Sequence, residues 1–477
     1  MTQLGPGRFT TGSTMRHVAV MTLTGSLGLS FMFLVDFATL FYVSLLGVEA
    51  LTAGVGFAWA VQFFTISVGI GLAIAATALV SRSIGARDRS TARRQATSAA
   101  MITIALLIGI AAIVLTFRDP ILAMVGAEGE AAAVASRFLL ISVPSLPFTG
   151  LTMITSSVLR AEGDAKRSML VTMIGGLAAM VLDPLFIFGL GLGVDGAAYA
   201  MVLSRMIAAS VGLFFCLRAH DLLAAPSMAD ALKFARPFFL IAAPAMMTQL
   251  STPLGNIILT RWIAEYGDSA VAGWAVASRL TVLAFGGIFA LSGAIGGIIG
   301  QNYGAGLADR VGMAYRDSLI FAAVYVVSAW ALLALFAPWI VAGFGVSDTG
   351  ASVVYAFCYI GAGGFMFNGA LFVANAAFNN LGKPFWSTAF NWSRDGLMIP
   401  LMLALMPAAF GAPGVVYAQA LAGVVIGAAA VWTGWRLSHG LDLAPREEAA
   451  DWSSVPNPAS SGRGAAAMLV AAKSDEK

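Results

Sequence analysis

The chain carries one pattern twice, about 219 residues apart, and this repetition constrains its fold more than any single motif. Gly47-Val48-Glu49-Ala50-Leu51-Thr52-Ala53 recurs as Gly267-Asp268-Ser269-Ala270-Val271-Ala272-Gly273, and Ile84-Gly85-Ala86 as Tyr303-Gly304-Ala305. Arg160-Ala161-Glu162-Gly163 falls on Asn379-Asn380-Leu381-Gly382, Ser168 on Ser387, and residues 193–199 on 411–417. Register kept through loops as well as apolar stretches implies two homologous bundles of equal helix count in the same orientation. Alternating-access carriers are built from repeats of that kind, one bundle rocking against the other about a site at their interface.

The two bundles belong in a membrane. Hydrophobic residues make up 59% of the 477 and charged residues only 11%, too few charges to clothe a water-soluble surface. A membrane-spanning helix needs about 20 mainly apolar residues. Charge and turn interruptions mark twelve such stretches, six in each half. They run near 17–45, 51–79, 96–116, 135–158, 168–189 and 194–216, then near 237–263, 270–299, 317–342, 352–378, 386–407 and 413–435. The expected fold is an all-α integral membrane protein of two six-helix bundles, with lobes over 17–217 and 237–437 and a cytoplasmic linker over 218–236. Residues 1–16 read as a cytoplasmic tail, and residues 438–477, rich in Pro, Ser, Ala and charge, as a disordered one.

The distribution of charge sets the orientation. Alternate loops collect Arg82, Arg87, Arg89, Arg93 and Arg94, then Arg160, Lys166 and Arg167, then Arg218, Lys233 and Arg236, then Arg310, Arg316 and Lys383, while the opposite set holds essentially Arg118. By the positive-inside rule the basic loops and both termini are cytoplasmic, which makes the chain a multi-pass protein of a bacterial plasma membrane. Topology thus accounts for the basic clusters, and no nucleic-acid partner is expected. The linker places Met228, Leu232 and Phe234 at near-helical spacing and predicts a short amphipathic helix on the membrane surface. The first apolar run is too long for a cleavable signal peptide and lacks its small-residue cleavage site.

Enzymatic chemistry has no constellation to rest on. The three His, at 17, 220 and 439, all lie at cytoplasmic ends, and Cys216 and Cys358 sit in different helices without metal-ligand spacing. No phosphate-binding Gly-x-x-x-x-Gly-Lys-Ser/Thr loop is present. The chain therefore reads as a carrier without metal, cofactor or ATP drive.

Ionisable groups inside a bilayer are costly and usually functional. Asp36, in Phe33-Leu34-Val35-Asp36-Phe37-Ala38, lies about two thirds of the way outward along the first helix; Asp183, in Val181-Leu182-Asp183-Pro184-Leu185, lies toward the outer end of the fifth. Two carboxylates at similar depth in one bundle would share a site in which desolvation and mutual repulsion raise the affinity for a proton. Arg205, near the middle of the sixth helix, is the candidate structural charge partner. Neighbours in sequence diverge on a helix, so Arg394 and Asp395 are expected to pair with other helices. The repeat shows which half carries the acid: eleven residues before Gly47 stands Asp36, and eleven before Gly267 stands Asn256. An acid confined to one bundle suits an asymmetric ion-coupling role. Gln62, Gln249, Asn256, Asn368 and Asn375 are the candidate polar residues of a substrate cavity otherwise lined by Phe and Met.

At these residues the chain resembles the multidrug and toxic compound extrusion (MATE) family, its DinF-like branch in particular. The resemblance spans about residues 15–437 and rests on several motifs in order. They are Val35-Asp36 with Leu46-Gly47, Ser83-Ile84-Gly85-Ala86, Leu159-Arg160-Ala161-Glu162-Gly163-Asp164, Leu182-Asp183-Pro184-Leu185, and Gly300-Gln301-Asn302-Tyr303-Gly304-Ala305-Gly306. It implies twelve helices in two lobes, export of amphipathic and often cationic compounds in exchange for protons or sodium, and an N-lobe ion site resembling the Asp36 and Asp183 pair. The family's site commonly adds an Asn four residues before the second Asp and a Thr eighteen after it; here those positions hold Ala179 and Met201. Sodium needs several oxygen donors whereas a proton needs one carboxylate, so these losses favour the proton. The expected function is multidrug efflux by a monomeric proton-coupled antiporter. Sodium coupling by the same fold, or flipping of a lipid-linked precursor as in the wider superfamily, is the alternative; the latter would want clustered cavity cations, and only Arg205, Arg279 and Arg394 are available, far apart.

Overall fold

The computed structural model describes residues 7–346 and 348–443, and all secondary structure among them is helical. Twelve long helical rods make up the molecule. The N-terminal lobe contains α1 (Thr14–Ser44), α2 (Glu49–Gly85), α3 (Arg89–Thr116), α4 (Gly129–Glu162), α5 (Ala165–Gly189) and α6 (Gly193–Ala219). The C-terminal lobe contains α7 (Met228–Ala264), α8 (Asp268–Gly304), α9 (Ala308–Phe344), α10 (Asp348–Asn380), α11 (384–410) and α12 (Pro413–His439). A short helix, Arg118–Met124, joins α3 to α4. Ten of the rods are long and apolar enough to cross a membrane by length and composition. The other two are α7, which opens with Asp230, Lys233 and Arg236 and contains three prolines, and α11, which carries Arg394 and Asp395 on a π-helical segment, Ser393–Met398.

The repeat is a repeat of structure. Helices α2 and α8 are both 37 residues long, and each begins and ends 219 residues from its counterpart (268 less 49, 304 less 85). The turns are copied too. Gly47 and Gly267, which lead into α2 and α8, have φ of 72° and 86°, and Gly163 and Gly382, which end α4 and α10, have φ of 97° and 76°. Only glycine adopts that left-handed backbone without cost, which is why the motif survives in loops where packing makes no demand. Capping is less strictly kept: the Asp164 side chain accepts the Arg167 N–H at the start of α5, whereas α11 starts with Pro384 in its first turn, after Lys383.

The lobes meet most extensively through α1, α2, α7 and α8, with further contacts between α3 and α7, α1 and α9, and α4 and α8. α1 packs on α5 within its own lobe and on α8 of the other, and α2 packs on both α7 and α8. Small residues permit this approach, as where Gly71 of α2 lies against the backbone of Met246 on α7 and Gly25 of α1 against Ala290 on α8.

Two stretches differ from the sequence expectation. The sequence predicts a surface helix within a linker over 218–236, but the non-helical connection ends at Ser227 and the apolar residues Met228, Leu232 and Phe234 form the first turns of α7 itself. Ser227 caps that helix by accepting the Asp230 N–H, so helix starts where a capping side chain is available and not where the apolar run begins. In the stretch read as an N-terminal tail, residues 8–10 form a 3₁₀ turn whose Phe9 is 1% exposed. Residues 1–6 and 444–477, including most of the tail expected to be disordered, lie outside the described residues.

Candidate functional site

The two acids come together in the N-terminal lobe through a residue the sequence reading overlooked. Asp183 is buried near the end of α5, and the Thr39 hydroxyl of α1 donates a hydrogen bond to its carboxylate while also reaching the Val35 carbonyl at 3.1 Å. Thr39 lies three residues after Asp36, so both project from one face of α1. Asp36 is half-buried, lies within electrostatic reach of Asp183 and Arg205, and makes no hydrogen bond to any described residue. After Asp183, Pro184 ends the α-helical ladder and residues Leu185–Gly189 continue as a π-helical turn. That widening lets α6 approach until Gly196 touches the Phe186 carbonyl, where a Cβ would stand 2.6 Å away.

Arg205 forms no ion pair with either acid among the described residues. Its guanidinium donates to Gln62 Oε1 at 2.6 Å, Ser145 Oγ at 2.9 Å and the Ser142 carbonyl at 3.4 Å. Gln62 in turn donates to Ser142 Oγ at 3.2 Å. Gln62, a cavity candidate by sequence, is thus buried inside the N-terminal lobe and committed to this cage.

The other cavity candidates fall in or beside the C-terminal lobe. Asn256 is exposed on α7 and Gln249 half-buried. Asn375 is buried and accepts from Asn391 at 3.1 Å, while Asn368 accepts from Arg394 at 3.1 Å. Arg394 and Asp395 do not reach other helices for their charge, contrary to the helical-wheel expectation; they pair with each other, Nε to Oδ1 at 2.7 Å and the second guanidinium nitrogen to Oδ2 at 2.9 Å. The long arginine stem folds back along its own helix, as Arg316 also does to reach Asp317 on α9, so adjacent side chains can pair although their Cβ atoms diverge. Gly255 of α7 packs directly against the Asp395 side chain.

At the end that the positive-inside rule reads as the inner one, the two lobes are joined by a two-sided contact, called the gate below. Arg82, counted in the sequence as a loop cation, is 6% exposed; it crosses to the other lobe and donates to the carbonyls of Asn379 and Asn380, both at 3.1 Å. Its counterpart 219 residues later is Gln301, which donates to the Ala161 carbonyl at 2.6 Å. Ala161 is itself the counterpart of Asn380, so the two bonds are the same bond made in opposite directions. Between them the backbones touch: a Cβ at Gly85 would lie 2.0 Å from the Gln301 carbonyl oxygen, and one at Gly304 would lie 2.0 Å from that of Arg82. The repeated Gly-Ala motif is therefore the contact surface of the two lobes, and the 219-residue register alone is enough to pair Arg82 with Gln301.

The N-terminal turn straps the gate. The Phe9 N–H donates to Gln301 Oε1 at 2.9 Å, and the Phe9 carbonyl accepts from Arg310 at 2.9 Å and Asn302 at 3.2 Å. Arg8 donates to the Gly163 carbonyl of the N-terminal lobe at 2.8 Å. Beside it Asp164 accepts from Arg167 at 2.6 Å and from His220 at 2.7 Å. Burial pushes the Asp164 carboxyl up, but the backbone and side-chain bonds from Arg167 and the bond from His220 outweigh it and hold the group below its ordinary value. At the opposite end of the molecule the turn glycines Gly47 and Gly267 face open space. The lobes are thus joined at the end that carries Arg82 and Gln301.

Comparison with known proteins agrees with this geometry. The MatE family model matches residues 26–185 and again 244–403, and both boundaries of the second match are displaced by 218 from those of the first (244 less 26, 403 less 185). The chain is 28% identical over 327 residues to a protein described as an FAD transporter from Shewanella oneidensis, covering 66% of this chain and 71% of that one. It is 30% identical over 230 residues to the multidrug export protein MepA of Staphylococcus aureus, 46% of this chain and 49% of that relative. Among solved structures, one described as the outward-facing conformation of a multidrug resistance MATE family transporter superposes with a TM-score of 0.84 at 23% identity, over 92% of this chain and 99% of the other.

Proposed function

Because this chain belongs to the MatE family of membrane transporters, we propose that it is a secondary antiporter that exports amphipathic, cationic organic compounds in exchange for protons bound at Asp36 and Asp183. The observation that carries this reading is the presence of both membrane acids in one lobe, joined through α1 by Thr39, with the two lobes bonded to each other at the end that carries Arg82 and Gln301. A carboxylate released into a low-dielectric interior binds a proton readily, and protonation removes the charge that Thr39 answers at Asp183. α1 carries Asp36 and Thr39 and also packs on α8 of the opposite lobe, so a change in their protonation reaches the lobe interface through one rigid element. Protonated acids favour one opening of the cleft and substrate the other, which couples the two fluxes.

The test is export from proteoliposomes under separately imposed proton and sodium gradients, with the membrane potential clamped. Cationic dyes and FAD form the substrate panel. Dye export driven by the proton gradient and lost with a protonophore is the expected result. Export driven by sodium at equal pH on both sides would overturn the proton assignment, and export of FAD alone would overturn the substrate class.

A further inference from the structure

We infer that Arg205 is a resident cation of the N-terminal lobe that keeps alkali-metal ions from occupying its acid pair. The inference rests on the coupling role proposed for Asp36 and Asp183 and adds a residue that lowers the affinity of a competing ion. Depth in the lobe is read from α5. Gly175 packs against Ala208 and the Ser204 carbonyl of α6, and the next residue, Gly176, packs against Phe31 and Val35 of α1. Asp36 follows Val35 and Arg205 follows Ser204, so the backbones that carry the two side chains flank α5 at one level. Asp183 lies about two turns further out, held by Thr39.

The cage around Arg205 fixes its position without consuming its charge. All three acceptors, Gln62 Oε1, Ser145 Oγ and the Ser142 carbonyl, are neutral. Each is tied down in turn: Ser142 Oγ donates to the Phe138 carbonyl at 2.8 Å, and Ser145 Oγ to the Ser142 carbonyl at 2.6 Å. A cation satisfied by dipoles alone keeps its full field, and in a low-dielectric interior that field reaches the nearest acids. Among the other charged groups of this lobe's outer half, Arg137 pairs with Asp195 at 2.8 Å and Arg118 with Asp119 at 3.7 Å, while Glu49, Glu128 and Glu130 lie at helix starts.

The consequence is a different welcome for different ions. Two carboxylates and one guanidinium sum to a single negative charge, which one proton on one carboxylate cancels. An alkali-metal ion needs several oxygen ligands at once, and so both carboxylates or one with neutral help. Thr39 is already given to Asp183, and the guanidinium repels the incoming ion. For unit charges about 10 Å apart at an effective dielectric of about 20, that repulsion weakens a metal ion on the order of tenfold. A proton on Asp36 feels the same field, so the guanidinium weakens both ions alike; the proton stays bound because it needs no second ligand in a site that burial already makes receptive.

The experiment is a sodium titration of the purified full-length protein at alkaline pH, followed by intrinsic tryptophan fluorescence and by calorimetry, with choline as the ionic-strength control. Wild type is expected to give no saturable sodium response. Arg205→Gln is expected to acquire one, at least about tenfold tighter than any residual wild-type response, and Asp36→Asn combined with Arg205→Gln to lose it. Arg205→Lys, which keeps the charge, should behave as wild type. A structural role for Arg205 would not create sodium binding, so the gain separates the two explanations. Saturable sodium binding to wild type that Arg205→Gln leaves unchanged overturns the inference, as does a folded Arg205→Gln protein without any response. If Arg205→Gln fails to fold, Arg205→Met is titrated in its place, and tight sodium binding by wild type alone remains sufficient to refute. Wild-type export that ignores a proton gradient would instead refute the coupling reading, whatever the titration shows.

Discussion

Replacing Gly85 by alanine should unlock the inner gate. The added methyl group would stand 2.0 Å from the Gln301 carbonyl oxygen, where ordinary contact begins at 3.4 Å, and the obstacle is backbone that no rotamer change can move. The lobes must part locally, which strains the bonds from Arg82 to Asn379 and Asn380. Overpacking of this kind costs about 1–3 kcal/mol. Because the clash exists only while the gate is shut, the whole cost falls on the inner-closed state. A penalty of about 2 kcal/mol multiplies the inner-open to inner-closed ratio on the order of thirtyfold. Spin labels at Lys166 and Lys383, exposed inner residues of the two lobes, would read the change as a longer distance without added substrate. Cys216 and Cys358 are buried and do not compete for label. Gly304→Ala should reproduce the shift, since a Cβ there meets the Arg82 carbonyl at the same 2.0 Å, whereas Gly109→Ala, which meets nothing within 4 Å, should not. An unchanged distance distribution in both gate variants would refute the reasoning.

Asp36→Asn should insert and fold normally yet lose gradient-driven export, as measured in proteoliposomes; undiminished export removes Asp36 from the mechanism. Thr39→Val deletes the donor to Asp183 while keeping shape, and should alter the pH profile of export more than protein yield. Asp164→Asn should lower thermal stability by about 1 kcal/mol at neutral pH. The folded carboxyl lies below its unfolded value, so the stabilisation is present above that unfolded value and disappears as pH falls through the folded one; melting curves of both proteins should therefore converge in acid, and a difference that persists there contradicts the assignment. Phe9→Ala empties a buried position between the lobes and should move the Lys166–Lys383 label pair toward longer distances, in the direction of the gate variants.

Much of the architecture was legible because membranes and duplications leave period and register in plain view. Ten of the twelve expected spans follow from apolar length and composition, and the left-handed glycines at 47, 163, 267 and 382 keep the halves aligned through their loops. Asp36 and Asp183 stood out because charge is rare in such helices. Thr39 did not, since a threonine in an apolar helix ordinarily satisfies itself on the preceding turn, as Thr39 also does with Val35. Arg82 was misread for a physical reason: a cation at an inner helix end obeys the positive-inside rule whether it faces water or a partner lobe. The pairing of Arg394 with Asp395 depends on the reach of the arginine stem, as with Arg316 and Asp317, and a helical wheel drawn from Cβ directions does not carry that reach. Met228 reads as interfacial by composition, but the cap at Ser227 makes it the start of a continuous rod.

The amide of Gln301 divides its two ends between separate tasks, its oxygen receiving the Phe9 N–H and its nitrogen holding the Ala161 carbonyl. This has a practical bearing on how the protein is engineered. A reporter or purification module fused ahead of residue 7 hangs its bulk on the same side chain that latches the lobes, and any drag on Phe9 is felt at Ala161. Among the described residues the end of α12 packs within the C-terminal lobe, His439 lying against Gly312 of α9, so a fusion on that side bears on one lobe alone. Measurements of gating should therefore carry their tags at the carboxyl end, and an amino-terminal fusion becomes a deliberate means of weakening the latch.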